Sequence, residues 1–484
     1  MRIKIPLIFF VASLLYGFWI MSCAPRIPDE TEIVILSTTD IHGHFDNLGK
    51  FSAFVAETKS KHKNVIIADA GDRFTGNPYN DLFEKPQFPI VDLLNHIGVD
   101  VAVVGNHEFD FGIELLNERV KSSQCATIMA NIEFKGSRLK GIKPYHIIEK
   151  DGIKVCFLGL TDVDKETGKP SVLAERVENL EFYDPIESAT KYRHLRNESH
   201  VFVALTHIGI DNDIILADSM PELDLIIGGH SHTLLMEPLI RNNVKITQAR
   251  RHAGHVGKTT ITLKKGVVTK IANEMINMTT WSSDWVDSAI VKKIQKYQEM
   301  SFLDKSFAML EFEIPSVEQL SYMVTDAALA LPDVDFAVIN CQGIRDDRLP
   351  AGPVTYGNIF HILPHGTHWV VVGLKPSEIR TFIESQFLQR KSCLLSPAGF
   401  IYAARQYSNG SIKVEHLTLP NGEKLDENKT YNLALDNFLF SRFLNKSANY
   451  ATNTNVSVVD NVVLYLQSNP NMDYRESPAR MWFH

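Results

Sequence analysis

Gly105-Asn106-His107-Glu108-Phe109-Asp110 is the stretch from which the rest of the chain is read. It follows Asp100-Val101-Ala102-Val103-Val104, an apolar run with the length and composition of a buried strand. A strand that ends in Gly-Asn-His puts three chemical tools at one edge of a sheet. Gly105 allows a sharp turn that a side chain would block. Asn106 offers a neutral oxygen ligand, and His107 can hold or release a proton near neutral pH. Asp110, three residues on, is placed to hold the imidazole in one tautomer. Taken alone, the same residues also suit an ordinary turn rich in helix-capping side chains.

Four more segments repeat the pattern. A strand at 32–37 runs into Asp40-Ile41-His42, whose carboxylate and imidazole share one side if the chain stays extended. A strand at 64–68 ends in Asp69-Ala70-Gly71-Asp72. A strand at 200–205 leads to Thr206-His207, and one at 223–227 to Gly228-Gly229-His230-Ser231-His232. Helical patterns intervene at 51–61 and at Ile90, Leu93, Leu94 and Ile97, with Gly98 as the stop. Strands alternating with helices predict an α/β sheet whose carboxyl ends deliver Asp, Asn and His to one edge. A core position explains a lone histidine better than a site does; it does not explain the set.

Further strands are expected at 126–130, 244–248 and 258–263. Asp151-Gly152 marks a hairpin between 145–149 and 154–160. From Trp285 to Ser306 the pattern turns helical and charged, which reads as a linker helix and domain boundary. Ser316 with Gln319 reads as a capping box. The helix it starts carries Val317, Leu320, Val324 and Ala327 on one face. The tail 469–484 reads as surface.

A chain of 484 residues exceeds one ordinary core, so two domains are expected. The formal charge of −8 speaks against a nucleic-acid polymer as partner, but not against a phosphorylated small molecule at a locally positive site. Arg2 and Lys4 precede an apolar stretch to Met21, a processing signal over residues 1–22. Ile20-Met21-Ser22-Cys23 resembles a bacterial lipobox. That resemblance implies cleavage before Cys23 and export. The protein would then be lipid-anchored to the cell envelope, on a periplasmic or outer-membrane face. A single membrane helix is the other reading, and the span is marginal for it. Of Cys125, Cys156, Cys341 and Cys393, none forms a Cys-x-x-Cys pair, which argues against a thiolate zinc site. Cys156 sits in a strand pattern and is expected to pack as a free thiol.

The oxygen and nitrogen donors are Asp40, His42, Asp72, Asn106, His207, His230 and His232. Two divalent metal ions sharing one carboxylate would use them all, activating water and stabilising phosphoryl charge. Histidine with carboxylate suits Zn, Mn or Fe. Asp40-x-His42, Gly71-Asp72, Gly105-Asn106-His107-Glu108, His207 and Gly229-His230-x-His232 resemble the motif series of the calcineurin-like metallophosphoesterases. The Phe109-Asp110 extension resembles the 5′-nucleotidase branch. Asn340-Cys341-Gln342-Gly343-Ile344-Arg345, Leu349 to Gly357 and Leu363-Pro364-His365-Gly366 follow in that family's order.

The resemblance implies a four-layer metallophosphoesterase sandwich over 30–284, the linker helix over 285–306, and a smaller α+β substrate-binding domain over 307–484 that rotates on the helix. It implies Asp40, His42, Asp72 and His232 at one metal and Asp72, Asn106, His207 and His230 at the other. His107 would stabilise the transition state or protonate the leaving oxygen, with Asp110 orienting it. Asn340, Arg345 and Phe438 would bind substrate, a phosphorylated and nucleotide-like small molecule. Two departures bear on the substrate. His365 replaces the family's phenylalanine near the nucleobase pocket, and the Gly-Gly-Asp expected after Phe438 is absent. A cyclic phosphodiesterase, a nucleotide-sugar hydrolase or a non-catalytic binding lipoprotein therefore stand beside the phosphomonoesterase reading. Arg250 and Arg251 either add charge at the mouth or are simply solvated.

Overall fold

The computed structural model describes residues 28–133, 139–165, 167–389, 395–407, 411–444 and 451–483. The signal-peptide and lipid-anchor readings (residues 1–22 and Cys23) and Cys393 lie outside the described residues. Among those described, no helix is long and apolar enough to cross a membrane.

Two sheets stack face to face in the first half of the chain. One has seven strands, in the order Val267–Asn277, His255–Lys264, Glu30–Thr38, Val65–Asp69, Val101–Val103, Ala126–Ile128 and Ile142–Lys143. The other has six: Leu239–Arg241, Val244–Gln248, Leu225–Gly228, Val201–His207, Ile153–Thr161 and Tyr145–Lys150. Their central strands are parallel, with antiparallel strands at the margins. The strands read as unbroken apolar runs because both faces are covered. Ile33, Ile35, Ile66, Val101 and Val103 of one sheet meet Phe157, Val203 and Leu205 of the other in a shared core. Helices Leu48–Lys61, Phe88–Ile97 and Gly112–Ser122 cover the outer face of the first sheet, and Pro185–Thr190 and Ile210–Ser219 that of the second. The result is four layers. The single sheet edge read from strand endings is thus corrected: the endings come from two sheets, and the layers align their carboxyl ends.

Local chemistry sets the turns. Asp151 and Gly152 both take positive φ, 51° and 78°, which gives the tight hairpin its twist. Gly98 closes the helix Phe88–Ile97 in the left-handed conformation. Cys156 is a buried free thiol, and burial pushes it up to about 12.

The expected linker helix is shorter than read and broken. Ser288–Gln298 is helical, Glu299 and Met300 interrupt, and Ser301–Asp304 makes one more turn. Asp287 caps the longer piece and also receives hydrogen bonds from Ser52 and His96. Lys293 and Tyr297 both reach Asp92, at 2.6 and 2.7 Å. The helix is therefore fastened to the four-layer body.

The second half is built on a five-stranded sheet, Leu395–Ala398, Phe336–Asn340, Tyr431–Asp436, His368–Leu374 and Ala451–Ser457. Helices Val317–Leu329, Tyr356–Ile362 and Val458–Ser468 pack on one face. The helix Pro376–Gln389 and a three-stranded sheet pack on the other. Ser316 caps Val317–Leu329, with Leu320, Val324 and Ala327 buried as the spacing predicts. The tail is not simply surface. Met481–Phe483 pairs with Ile401–Gln406, Tyr474 is buried, and Arg480 forks onto Asp326 at 2.6 and 2.8 Å.

Candidate active site

The donors converge where the carboxyl ends of both sheets meet. Asp40 and His42 follow the strand Glu30–Thr38, Asp72 follows Val65–Asp69, and Asn106 and His107 follow Val101–Val103. His207 ends Val201–His207, and His230 and His232 follow Leu225–Gly228. The chain is not extended at these positions, contrary to the reading of Asp40 and His42. Asp40, His42, Asp72, His230 and His232 all hold left-handed backbone, with φ of 51°, 52°, 53°, 78° and 52°. Such conformations are uncommon for residues with a Cβ and cluster where function over-determines the backbone.

Gly105 serves a purpose other than a left-handed turn. A Cβ on it would stand 2.2 Å from Asp72 Oδ1 and 2.6 Å from Asp72 N. Its strand end and the Asp72 loop pack too closely for any side chain. Gly229 is confined in the same way, against Thr39 Oγ1 at 2.4 Å and Ala70 O at 2.6 Å.

Asp72 lies at the centre. Its Oδ2 is 2.9 Å from His207 Nε2, 3.9 Å from His42 Nε2 and 4.0 Å from His107 Nε2. On one side, Asp40 Oδ1 is 3.4 Å from His232 Nε2 and 4.0 Å from His42 Nε2. On the other, Asn106 Oδ1 is 3.0 Å from His230 Nδ1. Asp40, His42 and His232 form one group of possible ligand atoms, and Asp72, His207 and His230 another. All seven donors read from the sequence are brought together.

The outer hydrogen bonds set the tautomers. His42 Nδ1 donates to Thr75 O at 2.9 Å and His207 Nδ1 to Ala70 O at 2.7 Å. Their Nε2 lone pairs therefore point inward. His42 Nε2 and His232 Nε2 face each other at 3.1 Å. His207 Nε2 is buried against the Asp72 carboxylate. Imidazole lone pairs and carboxylate oxygens converging on one spot fit divalent cations. Burial works against the charge on Asp72, yet His207 and His107 hold its carboxyl well below the usual range. His207 moves the opposite way. Burial opposes its charge, but Asp72 outweighs that and lifts it.

His107 Nδ1 donates to Asp110 Oδ2 at 2.7 Å, as the spacing predicts, which leaves Nε2 as an acceptor. Arg345 of the C-terminal half supplies the donor: its Nη2 is 2.9 Å from His107 Nε2. Asn340 lines the same cleft, and its Oδ1 accepts from Gln342 N at 2.9 Å. Phe438 also lines it, with the Arg442 guanidinium 5.8 Å from its ring centroid. The cleft encloses about 840 Å³ between the two halves of the chain. Arg251 lines it as well, whereas Arg250 is exposed.

Sequence reasoning gave no role to Glu108 or Asp162. Glu108 is fully buried and accepts from Gly105 N, Arg73 N and Asp72 N at 2.6, 2.7 and 3.0 Å. It knits two ligand loops together. The available signal was a lone carboxylate between a strand end and Phe109. Asp162 Oδ2 stands 3.7 Å from His230 Nε2. It directly follows the apolar strand Ile153–Thr161, so the strand-end signal that marks the donors was available for it too.

Residues 33–234 match the calcineurin-like phosphoesterase family, and residues 314–445 match the 5′-nucleotidase C-terminal domain. The chain is 26% identical over 440 residues to the uncharacterized metallophosphoesterase YunD of Bacillus subtilis, covering 84% of this chain and 92% of that one. It is 27% identical over 426 residues to a 5′-nucleotidase of Vibrio cholerae, covering 73% and 75%. The crystal structure of a 5′-nucleotidase precursor from Thermus thermophilus superposes with a TM-score of 0.83 at 24% identity, over 93% of this chain and 99% of that one.

Proposed function

From a phosphoester hydrolase that joins a calcineurin-like phosphoesterase domain to a 5′-nucleotidase C-terminal domain, we propose a two-metal phosphomonoesterase acting on 5′-nucleotide-like substrates. Asp72 carries this reading: one carboxylate oxygen lies within reach of His207, His42 and His107 at once. Shared in this way, it would belong to two ion sites, one with Asp40, His42 and His232, the other with Asn106, His207 and His230. Zn and Mn both suit that donor set. When bound, such a pair supplies Lewis-acid stabilisation of phosphoryl charge and a nucleophile at neutral pH.

The chain's own groups do the rest. Arg345 answers phosphoryl oxygens with charge-assisted hydrogen bonds. His107, its tautomer fixed by Asp110, holds Nε2 toward the cleft, 4.0 Å from Asp72 Oδ2. There, in its protonated form, it gives a proton to the leaving oxygen. Asp110 and Asp72 outweigh the burial of His107 and raise its affinity for that proton. Phe438 offers a ring face to a base, and Asn340 a polar rim beside it. The Vibrio cholerae relative, a 5′-nucleotidase by name, supports the same substrate class.

The test is a panel of nucleoside 5′-monophosphates, cyclic phosphodiesters and nucleotide sugars, with Mn or Zn, beside Asp72→Asn. Metal-dependent turnover of the monophosphates, lost in the variant, is the expected result. Turnover confined to the diesters or sugars would move the substrate class. A tightly bound ligand recovered unchanged with both ions present would defeat the enzyme reading.

A further inference from the structure

His365 lies in Leu363-Pro364-His365-Gly366, just past the helix Tyr356–Ile362. Its ring lies parallel to that of His107, with centroids 5.2 Å apart and planes at 19°. Its Nε2 accepts a hydrogen bond from Arg345 Nε at 3.0 Å. Arg345 is thus held at both ends. Its backbone N donates to Ile362 O at 2.9 Å, and its guanidinium is divided between His365 and His107.

An arginine can meet a phosphoryl group side-on, through Nε and one Nη, or end-on, through both terminal nitrogens. With Nε committed to His365, only the end-on approach remains. A phenylalanine in this place would keep a ring against His107 but would give Arg345 Nε no acceptor, and the guanidinium would be free to swing. Burial, with Arg345 and His107 beside it, keeps the His365 imidazole neutral and so able to accept.

We infer that His365 is a positioning residue: by accepting from Arg345 Nε it aims the terminal edge of that guanidinium at the phosphoryl group of the substrate. The histidine acts on phosphate recognition, not on a base. The inference rests on the phosphomonoesterase reading for its biological meaning, but its test does not require turnover.

Inorganic phosphate is titrated calorimetrically into the Mn-loaded full chain, beside hydrolysis of p-nitrophenyl phosphate. His365→Phe is expected to weaken phosphate binding on the order of tenfold, the effect of one hydrogen bond to a charged group. KM should rise by a similar factor, with kcat changed far less. His365→Gln, whose amide oxygen can reach the position of Nε2, is expected to restore both. In an Arg345→Ala background, His365→Phe should have no further effect. Three outcomes each overturn the assignment: unchanged phosphate affinity in His365→Phe, a weakening that glutamine does not relieve, and a weakening that persists without Arg345. Hydrolysis that survives Asp72→Asn would instead sink the two-metal reading, with the phosphate comparison still deciding the role of His365.

Discussion

Replacing Glu108 by glutamine asks whether a buried carboxylate outside the ligand set holds the metal loops together. One Glu108 oxygen accepts from Gly105 N and Asp72 N, and the other from Arg73 N at 2.7 Å, with Arg73 Nε 3.5 Å away. All four neighbours are donors, so only an ionised carboxylate satisfies them. A glutamine can turn its carbonyl oxygen toward Gly105 and Asp72. Its amide NH2 then meets the N–H and guanidinium of Arg73, donor against donor. The loss is one hydrogen bond next to a charged group, about 1.5–3 kcal/mol, plus an unpaired buried N–H at about 1–3 kcal/mol. A total of about 3–5 kcal/mol corresponds to roughly 6–20 °C of melting temperature for a domain of this size. Metal retention should fall too, because the severed tie runs to Arg73 N, next to Asp72 in its loop. The assay is thermal unfolding by circular dichroism with and without Mn, together with metal content after dialysis. A variant that melts within about 2 °C of the parent and keeps its metal would refute the argument.

Gly105→Ala should cost metal and lower hydrolysis by at least about 100-fold, because its Cβ displaces Asp72 and a small misplacement at such a centre is expensive; full metal content by mass spectrometry counts against this. Asp110→Asn should lower kcat by about 10²–10⁴ with metal content unchanged, since the tautomer of His107 is no longer fixed; an unaltered kcat rules out the orienting role. Asp213 is buried, accepts from Thr206 at 2.6 Å, and is pushed by burial up to about 7. Its folded value lies above its unfolded one, so its contribution to stability is complete at acid pH and is lost as pH rises through about 7. Asp213→Asn, which stays neutral, should therefore gain on the parent as pH rises from about 4 to about 7, by up to about 4 kcal/mol in urea unfolding. A gap that does not change with pH would contradict this.

The seven donors were legible because each follows an apolar run, and strand endings announce themselves in hydrophobicity. The hairpin at Asp151-Gly152 was legible because its turn needs two left-handed residues. What stayed hidden was tertiary. A strand buried on both faces looks the same in one sheet as in a stack of two, so the sandwich came only through family likeness, not through periodicity. Glu108 was passed over because its partners are backbone N–H groups of Asp72 and Arg73, distant in sequence. His365 read as a change in a base pocket. Its contact with His107 depends on how the second half of the chain seats against the first, and no local pattern carries that. The tail was misread because its apolar run, Met481-Trp482-Phe483, is only three residues long, too short to signal a paired strand.

The left-handed backbone at Asp40, His42, Asp72, His230 and His232 restricts which mutations these positions can sample at all. Glycine, asparagine and aspartate enter that region readily, histidine less so, and β-branched residues hardly at all. A change to valine, isoleucine or threonine would fail on geometry before its loss as a ligand mattered. Genetic drift here is channelled toward residues that still carry oxygen or nitrogen, or toward none. Variation that this backbone tolerates would therefore erode the centre by deletion of ligands, one glycine at a time, while the apolar strands beneath it stay as they are.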